Sequence, residues 1–201
     1  MKFKFKIAVN SAIIIFFILS CTPVKYQVVY RSNKAINVSS GKWLVNSIEG
    51  DFSFKEGQVL TDNLIKGLRK AGIDSLYYID DVILDYITPD HLSFKLTDDI
   101  LKLLKETTDF DFLINVRTEK LNDNLGDIMF SPPDAYSTSK SEVSIIIYDI
   151  RQQQEIYDQQ VIARVEMDET DEELNFSKSA SSLIFNALNK GLKEIKKYSV
   201  K

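Results

Sequence analysis

Apolar residues recur at helical spacing in three parts of the chain. In residues 59–71 they fall on one side of a helix, and Gly72 follows where a C-terminal cap belongs. A second helix is expected to begin after Thr97, whose side chain is suited to capping an amino end. A third is predicted over about 175–198. Its buried stripe comprises Phe176, Ala180, Leu183, Ile184, Ala187, Leu188, Leu192 and Ile195.

Short apolar runs and alternating runs predict the strands. Residues 109–119 alternate apolar with polar side chains, which is typical of a half-buried strand. Two later runs are separated by a short polar break at Gln152 and Gln153, which predicts an antiparallel hairpin. The predicted strands cover residues 42–48, 76–84, 109–119, 141–150 and 161–167.

The order of these elements predicts an α/β fold, with α+β as the alternative. Strand, helix, strand, helix and strand are followed by a long loop, a hairpin and a final helix, so one mixed sheet of about five strands is expected. Residues 121–140 show neither period and contain Gly126, Pro132 and Pro133. A stretch of this kind inside a compact domain indicates either function or disorder.

The amino-terminal pattern is that of a secretory leader. Three lysines precede an uncharged apolar run at 7–19, and the small residue Ser20 precedes Cys21. This run is shorter than the roughly 20 residues that a membrane-spanning helix needs. The alternatives to a cleaved leader are an uncleaved signal anchor and, for Cys21, an ordinary buried cysteine.

The residues Ile18, Leu19, Ser20 and Cys21 resemble the lipobox of bacterial lipoproteins. The resemblance implies that the leader is removed before Cys21, that the sulfur receives diacylglycerol, and that the new amino end is acylated. Leu19 is bulkier than the residues common at its position. Two or three acyl chains hold a protein on a membrane durably, whereas a single chain does not.

Leader removal changes the composition of the chain. Cleavage after residue 20 shortens it from 201 to 181 residues, and the loss of three lysines lowers its formal charge from −4 to −7. That length suits one domain. Acylation consumes the single cysteine, so no disulfide is available. The acidic balance argues against nucleic acid and against anionic membrane surfaces as partners.

These patterns divide the sequence into three parts: a signal peptide at 1–20, a lipidated tether with room for a short strand at 21–41, and one α/β domain at 42–201. The motifs KWLVNSI, DFDFLINVRTEKL and SIIIYDIRQQQEIYDQQVIARV resemble periplasmic α/β domains of the CsgG, LpoB and TolB amino-terminal group. The lipobox and WLVNS also resemble uncharacterised lipoproteins of Bacteroidetes-type bacteria. These resemblances imply regulatory or assembly roles in the cell envelope.

Candidate catalytic and metal-binding chemistry is sparse. The single histidine, His91, follows Pro89 and Asp90, but no G-x-S-x-G nucleophile motif accompanies it. Asp80, Asp81 and Asp85 form a candidate calcium cluster, without EF-hand spacing. The sequence contains no P-loop and no dinucleotide-binding turn, so no cofactor is expected beyond the covalent lipid.

Two functions fit this pattern. The first is a non-enzymatic module that binds an envelope protein or a second copy of itself, with Met129, Phe130 and Tyr136 as the candidate partner-binding loop. The second is a lipid-anchored hydrolase of envelope carbohydrate that uses carboxylates. In the Bacteroidetes-type lipoproteins that the leader resembles, surface export is linked to an acidic stretch after the cysteine. No such stretch follows Cys21, so the resemblance implies the periplasmic face of the outer membrane; the inner membrane and the cell surface are alternatives.

Overall fold

A computed structural model describes residues 24–32, 35–82, 84, 87, 92–123, 138–166 and 180–200. Within these ranges the chain forms three α-helices and nine strands. The helices are α1 (Phe54–Ala71), α2 (Asp98–Thr107) and α3 (Ala180–Tyr198). The strands are β1 (Lys25–Arg31), β2 (Ile36–Asn37), β3 (Trp43–Val45), β4 (Glu49–Gly50), β5 (Leu76–Tyr78), β6 (Phe112–Asp123), β7 (Thr138–Asp149), β8 (Gln154–Glu166) and β9 (Ser199–Val200).

The main sheet is mixed, which confirms the predicted fold class. Its strand order is β1-β8-β7-β6-β3-β5, and β4 adds to β6. The strands β3, β5 and β6 run parallel to one another, whereas β6, β7, β8 and β1 are antiparallel neighbours. The strands β2 and β9 form a separate parallel pair. The sheet has more than the five strands expected because β1 and β4 join it.

Helices cover both faces of this sheet. On one face, α1 and α3 pack together over a large core that includes Leu64, Leu188 and Ile145. On the other face, α2 and the residues before it cover a smaller core that includes Leu104 and Ile146. Adjacent β7 positions therefore point into different cores, as the strand period of two requires.

Both ends of α1 are capped by the residues that the sequence provides. The Ser53 hydroxyl accepts from the backbone N–H of Glu56, and the Glu56 carboxylate accepts from the backbone N–H of Ser53, forming a capping box. At the other end Gly72 has φ 103°, the left-handed conformation that glycine adopts without steric cost. The apolar pattern in the sequence begins at Val59, but the helix begins five residues earlier, at Phe54. The difference arises because the start of the helix is set by the cap at Ser53, which is not part of the apolar pattern.

Two segments differ from the elements expected for them. The run 76–84 forms a strand only to Tyr78 and then a single 3₁₀ turn, in which Ile79 is buried while Asp80 and Asp81 stay exposed. In the segment 21–41, expected to be a tether with room for a short strand, the described residues form both β1 and β2, and Ile36 is buried. In the described helices, no stretch is both long and apolar enough to cross a membrane.

Candidate functional site

An open cleft lies at the carboxyl ends of the parallel strands β3 and β5. It has a volume of about 710 Å³ and runs along one side of α1. The carboxyl ends of parallel strands are the usual place for ligands in α/β sheets, because the loops that follow the strands converge there. Its lining residues are Ser47, Ile48, Phe52, Phe54, Gly57, Gln58, Thr61, Asp62, Ile65, Tyr78, Asp80 and Asp81.

The charged side chains that line this cleft are all acidic. Asp62 comes from α1, and Asp80 and Asp81 come from the 3₁₀ turn after β5; all three are exposed. Ser47, which follows β3, contacts the wall formed by β5 and its turn: its hydroxyl lies 3.4 Å from the Asp80 carboxylate and 3.4 Å from the Tyr78 hydroxyl. The cleft therefore presents negative charge without a lysine or arginine among its lining residues.

The same cleft contains an exposed aromatic ring. Phe54, the first residue of α1, is 82% exposed. Its neighbour Phe52 is half-buried and lies against Gly57, where an added Cβ would come within 2.8 Å of the Phe52 ring. Because Gly57 has no side chain, the Phe52 ring packs directly on α1. Phe52 therefore forms part of the cleft wall next to the exposed ring of Phe54. Large exposed aromatics next to acidic groups are suited to binding a partner.

A second, apolar groove lies on the other side of α1, between the first turns of α1 and α3. It has a volume of about 400 Å³. Its lining residues are Phe52, Ser53, Lys55, Glu56, Val59, Leu60, Ser181, Ser182, Ile184 and Phe185. Hydrogen bonds from the Ser53 backbone and from the Ser181 and Ser53 hydroxyls lower the pKa of Glu56 from 4.5 to about 2. Glu56 thus connects the amino ends of both helices.

The capping box predicts a pH-dependent loss of stability. A carboxylate whose pKa is lowered on folding stabilises the fold fully above its ordinary pKa of 4.5, and the contribution disappears as the pH falls through about 2. We therefore expect Glu56→Gln to be less stable than the wild type at pH 7, with a difference that shrinks between pH 4.5 and 2. Urea unfolding at a series of pH values measures this difference.

The partner residue provides the control for that experiment. Ser53→Ala removes the N-cap and should lower the free energy of unfolding by about 1 kcal/mol. In the Ser53→Ala background, Glu56→Gln should have a smaller effect, because two groups in one hydrogen-bonded unit are not additive. Strictly additive effects of the two substitutions would show that the box is not a coupled unit.

Of the residues that the sequence proposed for function, two lie in the cleft. Asp80 and Asp81 line its wall, and the described residues contain no group of three or more potential metal ligands. The others lie outside the described residues: Cys21, Asp85, His91 and the candidate loop residues Met129, Phe130 and Tyr136. Sequence reasoning missed Phe54 and Asp62. Phe54 directly follows the cap Ser53 and does not share the spacing of the apolar residues of α1. That mismatch is the feature of the sequence that could have indicated an exposed ring.

The described residues define an α/β domain in which helices cover both faces of a mixed sheet. No protein-family model matches the sequence. The search of curated proteins found no match either.

Solved structures resemble the chain only remotely. The PelC dodecamer from Paraburkholderia phytofirmans has 12% identity and a TM-score of 0.46, covering 89% of this chain and 100% of that chain. Lipoprotein GNA1162 from Neisseria meningitidis has 12% identity and a TM-score of 0.45, covering 77% and 99%. Protein XCC0632 from Xanthomonas campestris has 9% identity and a TM-score of 0.43, covering 82% and 86%. The structures similar to this chain thus include a bacterial lipoprotein.

Proposed function

We propose that this protein is a lipid-anchored, non-enzymatic binding module of the bacterial cell envelope. Cys21 carries the diacylglycerol and the N-acyl chain, and the anchor lies in the periplasmic face of the outer membrane. The support is the leader pattern, in which lysines, a short apolar run and Ser20 precede Cys21. The resemblance to the CsgG, LpoB and TolB group and to Bacteroidetes-type lipoproteins supports the same assignment.

The acidic cleft is the observation that carries the binding role. It combines three exposed carboxylates, Asp62, Asp80 and Asp81, with the 82% exposed ring of Phe54. A protein partner that suits this surface has an apolar side chain to contact Phe54, surrounded by lysine or arginine side chains. The apolar contact supplies most of the affinity, and the charges supply orientation and speed of association.

Photo-crosslinking at the exposed ring tests the proposal. A photoreactive phenylalanine analogue at position 54 should give a discrete crosslinked complex in intact cells. The same analogue at position 77 is the matched control, because Tyr77 is also an exposed aromatic residue but makes an edge-to-face contact with Phe110 and is not among the residues that line the cleft. Crosslinks of equal yield at both positions, or monomer alone at position 54, would contradict the proposed site.

Charge reversal tests the role of the carboxylates. We expect Asp80→Lys with Asp81→Lys to lower the yield of the position-54 complex at least tenfold, which corresponds to about 1.4 kcal/mol of binding free energy. The control is Asp74→Lys with Glu106→Lys, which changes the net charge equally at exposed positions outside the cleft lining. An equal loss in the control pair would show that net charge, and not the cleft, governs the complex.

A further inference from the structure

The chain between Cys21 and the sheet is too short to act as a spacer. The strand β1 begins at Lys25, four residues after Cys21. A fully extended chain of four residues covers at most about 14 Å. Val24 already packs against the larger core. With Cys21 acylated, which is part of the proposed function, the start of β1 therefore stays within that distance of the bilayer.

The sheet register shows which end of the domain this short connection holds. Lys25 pairs with Arg164, Arg164 pairs with Lys140, and Lys140 pairs with Asn122. These four residues lie at one level, where β1 and β7 begin and where β6 and β8 end. We call this the anchor end. The turn at 151–153 lies at the opposite end, about 30 Å away along β7 at ~3.4 Å per residue.

The apolar groove between α1 and α3 opens at the anchor end. The Ser141 hydroxyl donates to the Ala180 carbonyl at 2.9 Å, so α3 begins at the level where Ser141 pairs with Lys120. The positive charge of Lys120 also attracts the carboxylate of Glu56, which lines the groove. The first turns of both helices, and the groove between them, therefore share the level of the last β6 residues.

The side chains exposed at this end are suited to a lipid headgroup layer. Val59 is 51% exposed in the groove and Leu121 is 42% exposed near the end of β6. Lys55 and Lys120 are exposed beside them, and the acids Asp51 and Glu119 are exposed in the same region. Charges of both signs around apolar side chains match the paired charges of a zwitterionic headgroup, and apolar area buried at the interface supplies the affinity.

We propose that the anchor end is a membrane-docking surface, with Val59 and Leu121 at the boundary between the headgroups and the acyl chains. The occupant of the groove is the bilayer that holds Cys21, because the four-residue connection keeps the start of β1, at the same end of the sheet, within about 14 Å of the bilayer.

Fluorescence quenching from the bilayer tests this arrangement. Acylation consumes the thiol of Cys21, so an introduced cysteine is the single free thiol for an environment-sensitive fluorophore. The labelled variants are Val59→Cys, Leu121→Cys and the opposite-end control Gln152→Cys. Each acylated protein is reconstituted into phosphatidylcholine and phosphatidylethanolamine vesicles that contain a lipid with a nitroxide near the headgroup. We expect quenching at 59 and 121 to exceed that at 152 at least threefold.

The outcomes separate this inference from the proposed function. Equal quenching at all three positions, stronger quenching at 152, or no quenching anywhere would overturn the docking surface. Mass spectrometry of the same samples shows whether Cys21 carries the acyl groups, and a bare thiol would overturn the proposed anchor together with this inference. An acylated protein without preferential quenching would overturn the docking surface alone. Circular dichroism of each variant confirms that the fold is retained.

Discussion

A Cys21→Ser variant should carry no fatty acid at all. Serine has no thiol to form the thioether, so both the diacylglycerol and the later N-acyl chain are lost together. Each acyl methylene in the bilayer contributes about 0.8 kcal/mol, and the loss of two or three chains removes the whole anchoring energy. Cells supplied with an alkyne fatty acid should therefore label the wild type strongly and the variant at background level.

The fate of the leader provides the second readout. Mass spectrometry should find the wild type beginning at Cys21 and the variant not acylated at this position. The matched control is Ser20→Ala, which keeps a small residue before the cysteine and should retain normal labelling. Fatty-acid labelling that persists in Cys21→Ser would place the lipid elsewhere, and a wild-type protein that still begins before Cys21 would show that the leader is not removed.

Trp43→Ala should remove a large part of the stability of the domain. Trp43 is 1% exposed, and β3 pairs with β5 on one side and with β6 on the other. Its ring stacks on Phe112 with centroids 4.2 Å apart, and its indole N–H donates to the Ser40 carbonyl at 3.3 Å. Truncation of a buried aromatic of this size costs about 3–5 kcal/mol. This is a large part of the unfolding free energy of a whole domain, which is about 5–15 kcal/mol.

Urea unfolding followed by far-ultraviolet circular dichroism measures this loss, because the variant has no tryptophan left for fluorescence. The control is Phe54→Ala, which also truncates a large aromatic but at an 82% exposed position, and it should change the unfolding free energy by less than about 0.5 kcal/mol. A loss below about 1 kcal/mol for Trp43→Ala would contradict the central position given to the ring.

The sequence predicted the elements whose signals are local. The caps Thr97 and Gly72 lie where they were expected. The hairpin turn at Gln152 and Gln153 is confirmed, with Gln153 in a left-handed conformation at φ 54°. These features depend on a few neighbouring residues and on the period of the chain, which is why a single sequence shows them.

The sequence could not predict features that depend on distant pairing. The sequence allowed a short strand within 21–41 but gave neither its bounds nor its place in the sheet. The strand β1 has exposed and half-buried residues without a clear period, and it becomes a strand because β8 provides an edge for it. Similarly, Asn115 looks like an outward polar residue of an alternating strand, yet it is buried and its amide donates to the carbonyls of Ser93 and Phe94.

The acidic cleft was only half predictable for the same reason. Asp80 and Asp81 attract attention as neighbouring acids, whereas Asp62 is one polar residue on the exposed side of α1. They line one cleft because β3 and β5 are parallel and α1 connects them, so that the helix passes beside the turn after β5. Only the three-dimensional arrangement brings Asp62 and Phe54 together with this pair.

The position of β1 in the sheet also has a consequence for export. A secreted chain crosses the inner membrane starting from its amino end, yet among the described strands β1 pairs with β8, and the short strand β2 pairs with β9 at Ser199–Val200. The segment next to Cys21 therefore remains without its native partners until almost the whole polypeptide has been translocated. If Cys21 is lipidated during export, as we propose, the lipid is attached before β1 can pair with β8.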